Sequence, residues 1–173
     1  MKKEIILKWV VLSVAIAINV FILVNAFING DVSAKESNTV AHTAADVINT
    51  VKPETITPKN FDRFAFDIRK VVGHFLLFAF SGGFTTWSLY LFLKKTKVSY
   101  FLWILLFTFA FGISLALITE LAQIYVDGRT GAWLDVGIDS SGYFIGVLPV
   151  ILILLIRKSP IFLSPKNNKN EAK

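Results

Sequence analysis

Four long apolar stretches limit what this chain can fold into. They run from Trp9 to Ile28, Val71 to Leu93, Val98 to about Val126 and Val136 to Ile156. About 20 apolar residues of helix cross a hydrocarbon core about 30 Å thick, and lipid offers no partner to unpaired backbone groups. The sequence therefore predicts an all-α membrane protein, a four-helix transmembrane bundle forming one domain over residues 1–163. The hydrophobic content of 54% agrees, because soluble domains average about 45–50%.

The first stretch has two interpretations. Lys2, Lys3 and Lys8 stand at its start, and Val32-Ser33 followed by Ala34 resembles a signal-peptidase site. Its apolar run of about 20 residues exceeds the about 7–15 residues of a signal-peptide core. A retained anchor is therefore favoured over a cleaved signal.

Basic residues set the predicted orientation. They cluster before the first span, in the tight turn at residues 94–97 and after Arg157, where Glu4 and Glu171 are the only acids. Cytoplasmic segments of membrane proteins are enriched in Lys and Arg. Both termini are therefore predicted to be cytoplasmic, with residues 164–173 as a disordered tail.

The outer segment, residues 30–70, has the periodicity of helices rather than of a loop. One apolar face, closed by Pro53, consists of Val40, Ala44, Val47, Ile48 and Val51. A second consists of Phe61, Phe64, Ala65, Ile68 and Val72. We expect one or two short amphipathic helices here, lying on the membrane or capping the bundle. The second should begin near Asn60 and continue into the second span, with a bend near Gly73.

Ionisable residues inside apolar spans are costly and mark candidate functional positions. With a rise of about 1.5 Å per residue, His74, Glu120 and Asp139 lie about 30, 35 and 27 Å from the inner basic flanks. Because these residues come from three spans, the sequence predicts that they meet in one pocket toward the outer face. Gln123 follows Glu120 by three residues and shares its face of the helix.

The fourth span carries acids and small residues on one stripe. Asp135 and Asp139 continue into Gly142 and Gly146, a G-x-x-x-G pattern that predicts close helix packing. Arg129, in the turn ahead of this span, is an available cation. Candidate catalytic residues are His74, Glu120 and Asp139; candidate ligand-binding residues are His74, Glu120, Gln123, Arg129, Asp135 and Asp139. Each also has a plainer interpretation, as a solvated turn residue or a structural ion pair.

Composition argues against several kinds of site. The chain has no cysteine and two histidines, so a thiolate-bound metal is excluded and a multi-histidine site is not expected. A site made of His74, Glu120, Asp135 and Asp139 is conceivable, but such carboxylates are not diagnostic of a metal. We therefore expect no metal and no cofactor. The net charge of +6 lies in residues that flank the spans, and without a binding motif it predicts no nucleic-acid partner.

These motifs resemble the VanZ-like family over residues 69–146. The resemblance is carried by Glu120 with Gln123, by Gly128-Arg129, by Asp135 and Asp139 with the glycines that follow, and by Arg69-Lys70 ahead of His74-Phe75. The chain has Thr119 and Ala122 where the family often has Asp and His, and one extra residue between Lys70 and His74. The resemblance implies a bacterial plasma-membrane protein. The member that gives the family its name is associated with resistance to teicoplanin, a lipid-bearing glycopeptide.

Four functions remain open from the sequence. The preferred one is a non-enzymatic envelope protein that binds a lipid head group or a lipid-linked amphiphile, with Arg129 holding a phosphate or carboxylate. The alternative is a membrane enzyme that acts on a lipid-linked substrate, with His74 as general acid or base. A transporter is less favoured, because four spans without an interrupted-helix repeat are few for alternating access. A structural role beside a membrane-protein partner, or as a homo-oligomer, would use the glycine stripe or the outer helices.

Overall fold

The computed structural model describes residues 2–93 and 100–158. Its helices are α1 (Lys2–Ala26), α2 (Gly30–Val51), α3 (Phe61–Ile68), α4 (Leu77–Leu93), α5 (Tyr100–Gln123) and α6 (Trp133–Lys158), with a π-helical segment (Arg69–Leu76) joining α3 to α4. The basic turn at 94–97 and the tail at 164–173 lie outside the described residues.

The prediction of four spans is confirmed. Within the described residues, four helices are long and apolar enough to cross a membrane: Lys2–Ala26, Phe61–Leu93, Leu102–Gln123 and Trp133–Ile156. Their boundaries differ from the apolar runs. Helix α1 includes its leading lysines, α5 ends at Gln123 rather than near Val126, and α6 begins at Trp133, so that Asp135 lies in its first turn. Helix boundaries can lie outside or inside an apolar run because backbone hydrogen bonds do not depend on hydropathy.

The outer segment contains one long helix and one short one. Helix α2 has 22 residues, so the expectation of short helices was wrong for it. Helix α3 has eight residues, begins at Phe61 as predicted, and continues through the π-helical segment into α4. Helices α2 and α3 pack together, and the rings of His42 and Phe61 stack with centroids 4.1 Å apart. The segment therefore forms a cap over one end of the bundle, which we call the α2 end.

Helix α6 packs against α4, α5 and the π-helical segment, and its contact with α4 is the most extensive between any two described helices. Its glycine stripe permits this packing: a Cβ at Gly142 or Gly146 would overlap the backbone of Phe75 or Ala79. The buried core includes Phe78, Leu115, Tyr143 and Val147. Lipid provides no hydrophobic drive for helices to associate, so small residues at the contact contribute by bringing backbones together.

A polar cluster joins α1 to α4 inside the bundle. The Asn19 side chain donates to the Thr85 hydroxyl (3.1 Å) and accepts from the hydroxyl of Ser81 (2.8 Å). Ser81 is fully buried. In a medium without water, these bonds fix how α1 meets α4.

The corner between α1 and α2 is fastened to the turn between α5 and α6. Asn29 caps α2 by accepting from the backbone N–H of Asp31 (2.9 Å). The N–H of Gly30 donates to the carbonyl of Asp127 (2.9 Å), and a Cβ at Gly30 would overlap Gly128. Gly128 has a φ of +73°, which side chains disfavour. Both glycines are therefore required where the two turns touch.

Candidate functional site

The end of α5 presents a carboxylate that two donors hold in place. Glu120 and Gln123 are 4% and 7% exposed. Oε1 of Glu120 accepts from the Gln123 amide (3.3 Å), and Oε2 accepts from the backbone N–H of Ala132 (2.9 Å). Each carboxylate oxygen has two lone pairs, so each retains one for a further partner. Glu120 thereby also links α5 to the start of α6.

The π-helical segment and α6 meet through two ion-pairing contacts one helical turn apart. Lys70 pairs with Asp135, and Nδ1 of His74 lies 3.0 Å from Oδ1 of Asp139. The partners follow the same four-residue step on both helices because the two helices run in the same direction. The Lys70 pair was not predicted, although its four-residue spacing to His74 indicated a shared face.

Three of the predicted residues come together. His74, Glu120 and Asp139 each offer a ligand atom, and these atoms lie within 4.8 Å of one another. Asp139 is 1% exposed, and its Oδ2 has no hydrogen-bond partner among the described residues. The convergence expected from the depth estimate is therefore present. The binding or catalytic roles of these residues stay predictions.

Arg129 lies apart from this cluster and is held by backbone. Its Nε donates to the carbonyl of Ile28 (3.0 Å) and its Nη2 to that of Asn25 (3.1 Å). Two of its five N–H donors are thus used at the end of α1, and three remain. Burial lowers the pKa of the Arg129 guanidinium, as does the nearby positive charge of Arg69. An anion placed between the two guanidiniums would relieve this repulsion.

Arg69 is the site residue that the sequence analysis missed, since it entered there only as part of a motif. Its half-buried guanidinium makes no hydrogen bond and no ion pair with any residue in the ranges 2–93 and 100–158. Its position, four residues ahead of Gly73 at the start of the second span, could have identified it as a candidate site residue. Polar side chains at that depth need partners.

Several of these groups line a cavity of about 320 Å³ at the α2 end, whereas Glu120, Lys70 and Asp135 do not line it. We call it the α2-end cavity. Its polar lining includes Arg69, Arg129, His74, Gln123, Asp139, Thr119 and, from α2, Ser33, Glu36 and Ser37. Its apolar lining comes from the spans and α2, and includes Phe21, Ile22, Val40, Val72, Leu77 and Phe78. One chamber thus offers guanidinium donors beside a hydrophobic wall, an arrangement suited to an amphiphile.

The site also contains the elements of acid–base chemistry. A carboxylate bonded to Nδ1 of a histidine fixes its tautomer and orientation and leaves Nε2 to exchange a proton. Here Asp139 is that carboxylate, and His74 lines the cavity.

A family model described as VanZ/LLP1 matches residues 9–156, from within α1 to the last turns of α6. No curated protein and no solved structure gives a significant match.

Proposed function

This chain belongs to the VanZ/LLP1 family, and from that premise we propose that it binds the anionic head group of a membrane amphiphile. The ligand enters the α2-end cavity from the outer leaflet of the bacterial plasma membrane. Its phosphate or carboxylate lies between Arg69 and Arg129, and its hydrocarbon chain lies against the apolar wall of the cavity.

The observation that carries the proposal is that the Arg69 guanidinium has no ion-pair partner among the described residues. A partly buried guanidinium without a counter-ion is unfavourable, and a second guanidinium nearby adds repulsion. Glu36 acts on Arg129 electrostatically, yet within the described ranges it forms no ion pair. Planar guanidinium groups bind phosphate and carboxylate oxygens through paired, charge-assisted hydrogen bonds. An anionic head group would therefore satisfy both arginines.

The apolar wall supports an amphiphile rather than a free anion. Phe21 and Ile22 of α1 and Leu77 and Phe78 at the start of α4 line the cavity together with the polar groups. A soluble anion would leave this apolar surface uncovered, whereas the acyl chain of an amphiphile would cover it.

A role in resistance to lipid-bearing glycopeptides follows from the same cavity. Such an antibiotic carries a hydrocarbon chain and acts at the outer face of the membrane. The protein would lower the effect of the antibiotic either by binding the antibiotic directly or by binding the lipid that the antibiotic needs. Expression of Arg69→Gln in a deletion strain should then give less protection than the wild type.

The direct test is lipid binding by the purified protein in a phosphate-free detergent. The probes are fluorescent phosphatidic acid, phosphatidylglycerol, phosphatidylcholine and diacylglycerol with the same acyl chains. We expect the two anionic phospholipids to bind more tightly than the other two. Arg69→Gln should weaken their binding about 10-fold or more, since hydrogen bonds to charged groups contribute about 1.5–3 kcal/mol.

The matched control is Arg63→Gln, which removes an exposed arginine from α3. It carries the same change in net charge but lies outside the cavity lining, so its binding should equal that of the wild type. Arg129→Ala is the weaker test because it also removes the bonds to Asn25 and Ile28. Equal affinity of Arg69→Gln and the wild type for all four probes would refute the proposal.

A second candidate is an enzyme that acts on a lipid-linked substrate. The observation in its favour is the His74–Asp139 contact beside the cavity. His74 would transfer a proton through Nε2, while Asp139 holds the imidazole and Glu120 supplies a further carboxylate. General acid–base catalysis of this kind contributes about 10²–10⁴-fold to a rate.

Lipid profiles separate the two candidates. The strains compared are the deletion strain complemented with wild type, His74→Gln or Asp46→Asn, the last being an exposed α2 residue. If the protein is an enzyme, one lipid species should accumulate both in the His74→Gln strain and in the deletion strain. Identical profiles in strains that differ in resistance would remove the enzymatic candidate and leave binding.

A further inference from the structure

The cluster at the base of the α2-end cavity contains more acceptors than donors. Asp139 and Glu120 are both buried, and their oxygens lie within 4.8 Å of each other and of a His74 nitrogen. Two buried carboxylates at this distance repel each other unless a positive charge lies between them. The cluster therefore requires a proton or a cation.

The cations near the cluster do not neutralise it, and Arg69 is not among the charges that act on either carboxylate. Lys70 acts on Asp139 but is paired with Asp135. Arg129 acts on Glu120, yet its guanidinium donates to the carbonyls of Asn25 and Ile28. Among the described residues this leaves only His74 to compensate two carboxylates. One imidazolium would balance at most one of them.

A second, independent observation is the unsatisfied oxygen of Asp139. The residue is 1% exposed, and its Oδ2 has no donor within the described part of the chain. Buried polar atoms are almost always hydrogen-bonded, so this oxygen has the capacity for a further donor or a cation. Asp139 lines the cavity, so a ligand can reach it from there.

One distance within the cluster and the orientation of Glu120 also fit an ion. Nδ1 of His74 lies 3.0 Å from Oδ1 of Asp139, and two ligands on a tetrahedral ion with bonds of about 2.0–2.1 Å lie about 3.3 Å apart. Glu120 is already oriented by Gln123 and by the N–H of Ala132. Carboxylates and histidines that bind metals are commonly held by such outer hydrogen bonds.

We propose that His74, Glu120 and Asp139 bind one divalent cation at the base of the α2-end cavity. One imidazole nitrogen and two carboxylates form a mixed donor set that suits Zn²⁺ first and Mn²⁺ second. Three protein ligands leave a coordination position open toward the cavity. The site is built from protein side chains, so it does not depend on the head-group binding proposed above.

The test measures metal content in the purified full-length protein, kept in a phosphate-free detergent. The protein is stripped with a chelator, incubated with Zn²⁺ or Mn²⁺, freed of excess metal and analysed by elemental mass spectrometry. We expect about one ion per chain for the wild type. Glu120→Gln and Asp139→Asn should each retain a small fraction of it. Gln123→Ala, which removes only the outer hydrogen bond, should weaken affinity about 10–100-fold.

Asp46→Asn provides the control, because it removes an exposed carboxylate from α2 and should bind as the wild type does. If a proton rather than a metal ion neutralises the cluster, the wild type should bind no ion at all. A wild-type protein that holds no stoichiometric Zn²⁺ or Mn²⁺ therefore overturns the proposal, whether or not the variants fold. Equal metal content in the wild type and in correctly folded Glu120→Gln would do the same. Loss of lipid binding with metal binding intact would affect the proposed function alone.

Discussion

Single polar residues inside the apolar helices mostly have identifiable partners. Asn19 is an example that the sequence analysis did not single out, although it is a polar residue in the middle of a long apolar run. Its side chain connects α1 to Thr85 and Ser81. Such a residue marks a helix contact because a free amide in hydrocarbon is unfavourable.

Replacing Asn19 by Ala should lower the free energy of unfolding by about 1 kcal/mol, the usual scale for hydrogen bonds between membrane helices. The reason is that both bonds to α4 are lost and the buried hydroxyl of Ser81 loses its acceptor. Thermal unfolding in detergent measures the change. Ser13→Ala, on an exposed position of the same helix, serves as the control, and equal destabilisation by the two variants would contradict this account.

Residue identity predicted part of the site and not the rest. The depths of His74, Glu120 and Asp139 follow from helix rise and the position of the basic flanks, so their meeting was predictable. The bonds of Arg129 were not, because they depend on how the turn after α5 folds against the end of α1. Arg69 was missed for a related reason: its lack of a partner becomes visible only when its neighbours are placed.

At the scale of helices, packing against α6 decides the arrangement. The Gly142 and Gly146 stripe lets the segment around Phe75 and Ala79 approach with backbone in contact. The same approach brings Lys70 to Asp135 and His74 to Asp139. The contact that packs the helices therefore also assembles the site, which explains why the acids and the glycines of α6 lie on one stripe.

Gly146→Leu should therefore disturb both packing and site. Its side chain would overlap the backbone of Ala79, and overpacking typically costs about 1–3 kcal/mol. We expect lower thermal stability and weaker binding of anionic lipid. Gly137→Leu is a matched control on the same helix, since a Cβ there has no neighbour within 4 Å. Similar stability losses in the two variants would argue against the close contact.

At the scale of the whole molecule, hydropathy predicted the number of spans because crossing a bilayer imposes a length and a composition. It could not predict the 22 residues of α2 as one helix, since the apolar face there covers only part of the helix. The boundaries of α5 and α6 likewise depend on the contact between two turns. The orientation in the membrane stays a prediction from the distribution of basic residues.

A cysteine-free chain makes that orientation easy to test. Glu54→Cys places a thiol in the exposed turn between α2 and α3, and Lys3→Cys places one near the N-terminus. A membrane-impermeant maleimide added to intact cells should label the first variant and not the second. Both should react after the cells are permeabilised. Labelling of Lys3→Cys alone in intact cells would reverse the orientation and place the α2-end cavity at the cytoplasmic face.

The wide turn between α3 and α4 has a consequence for how this pocket can vary. A π-helical stretch accommodates more residues per turn than an α-helix, so removing Gly73 would let it tighten to α-helical geometry. The tightening would absorb the lost residue, and the residues ahead of it would keep nearly the same face. Lys70 and His74 would then be three residues apart, a spacing that still places both on one side of the helix. The segment can thus lose one residue while its charged side chains still face α6.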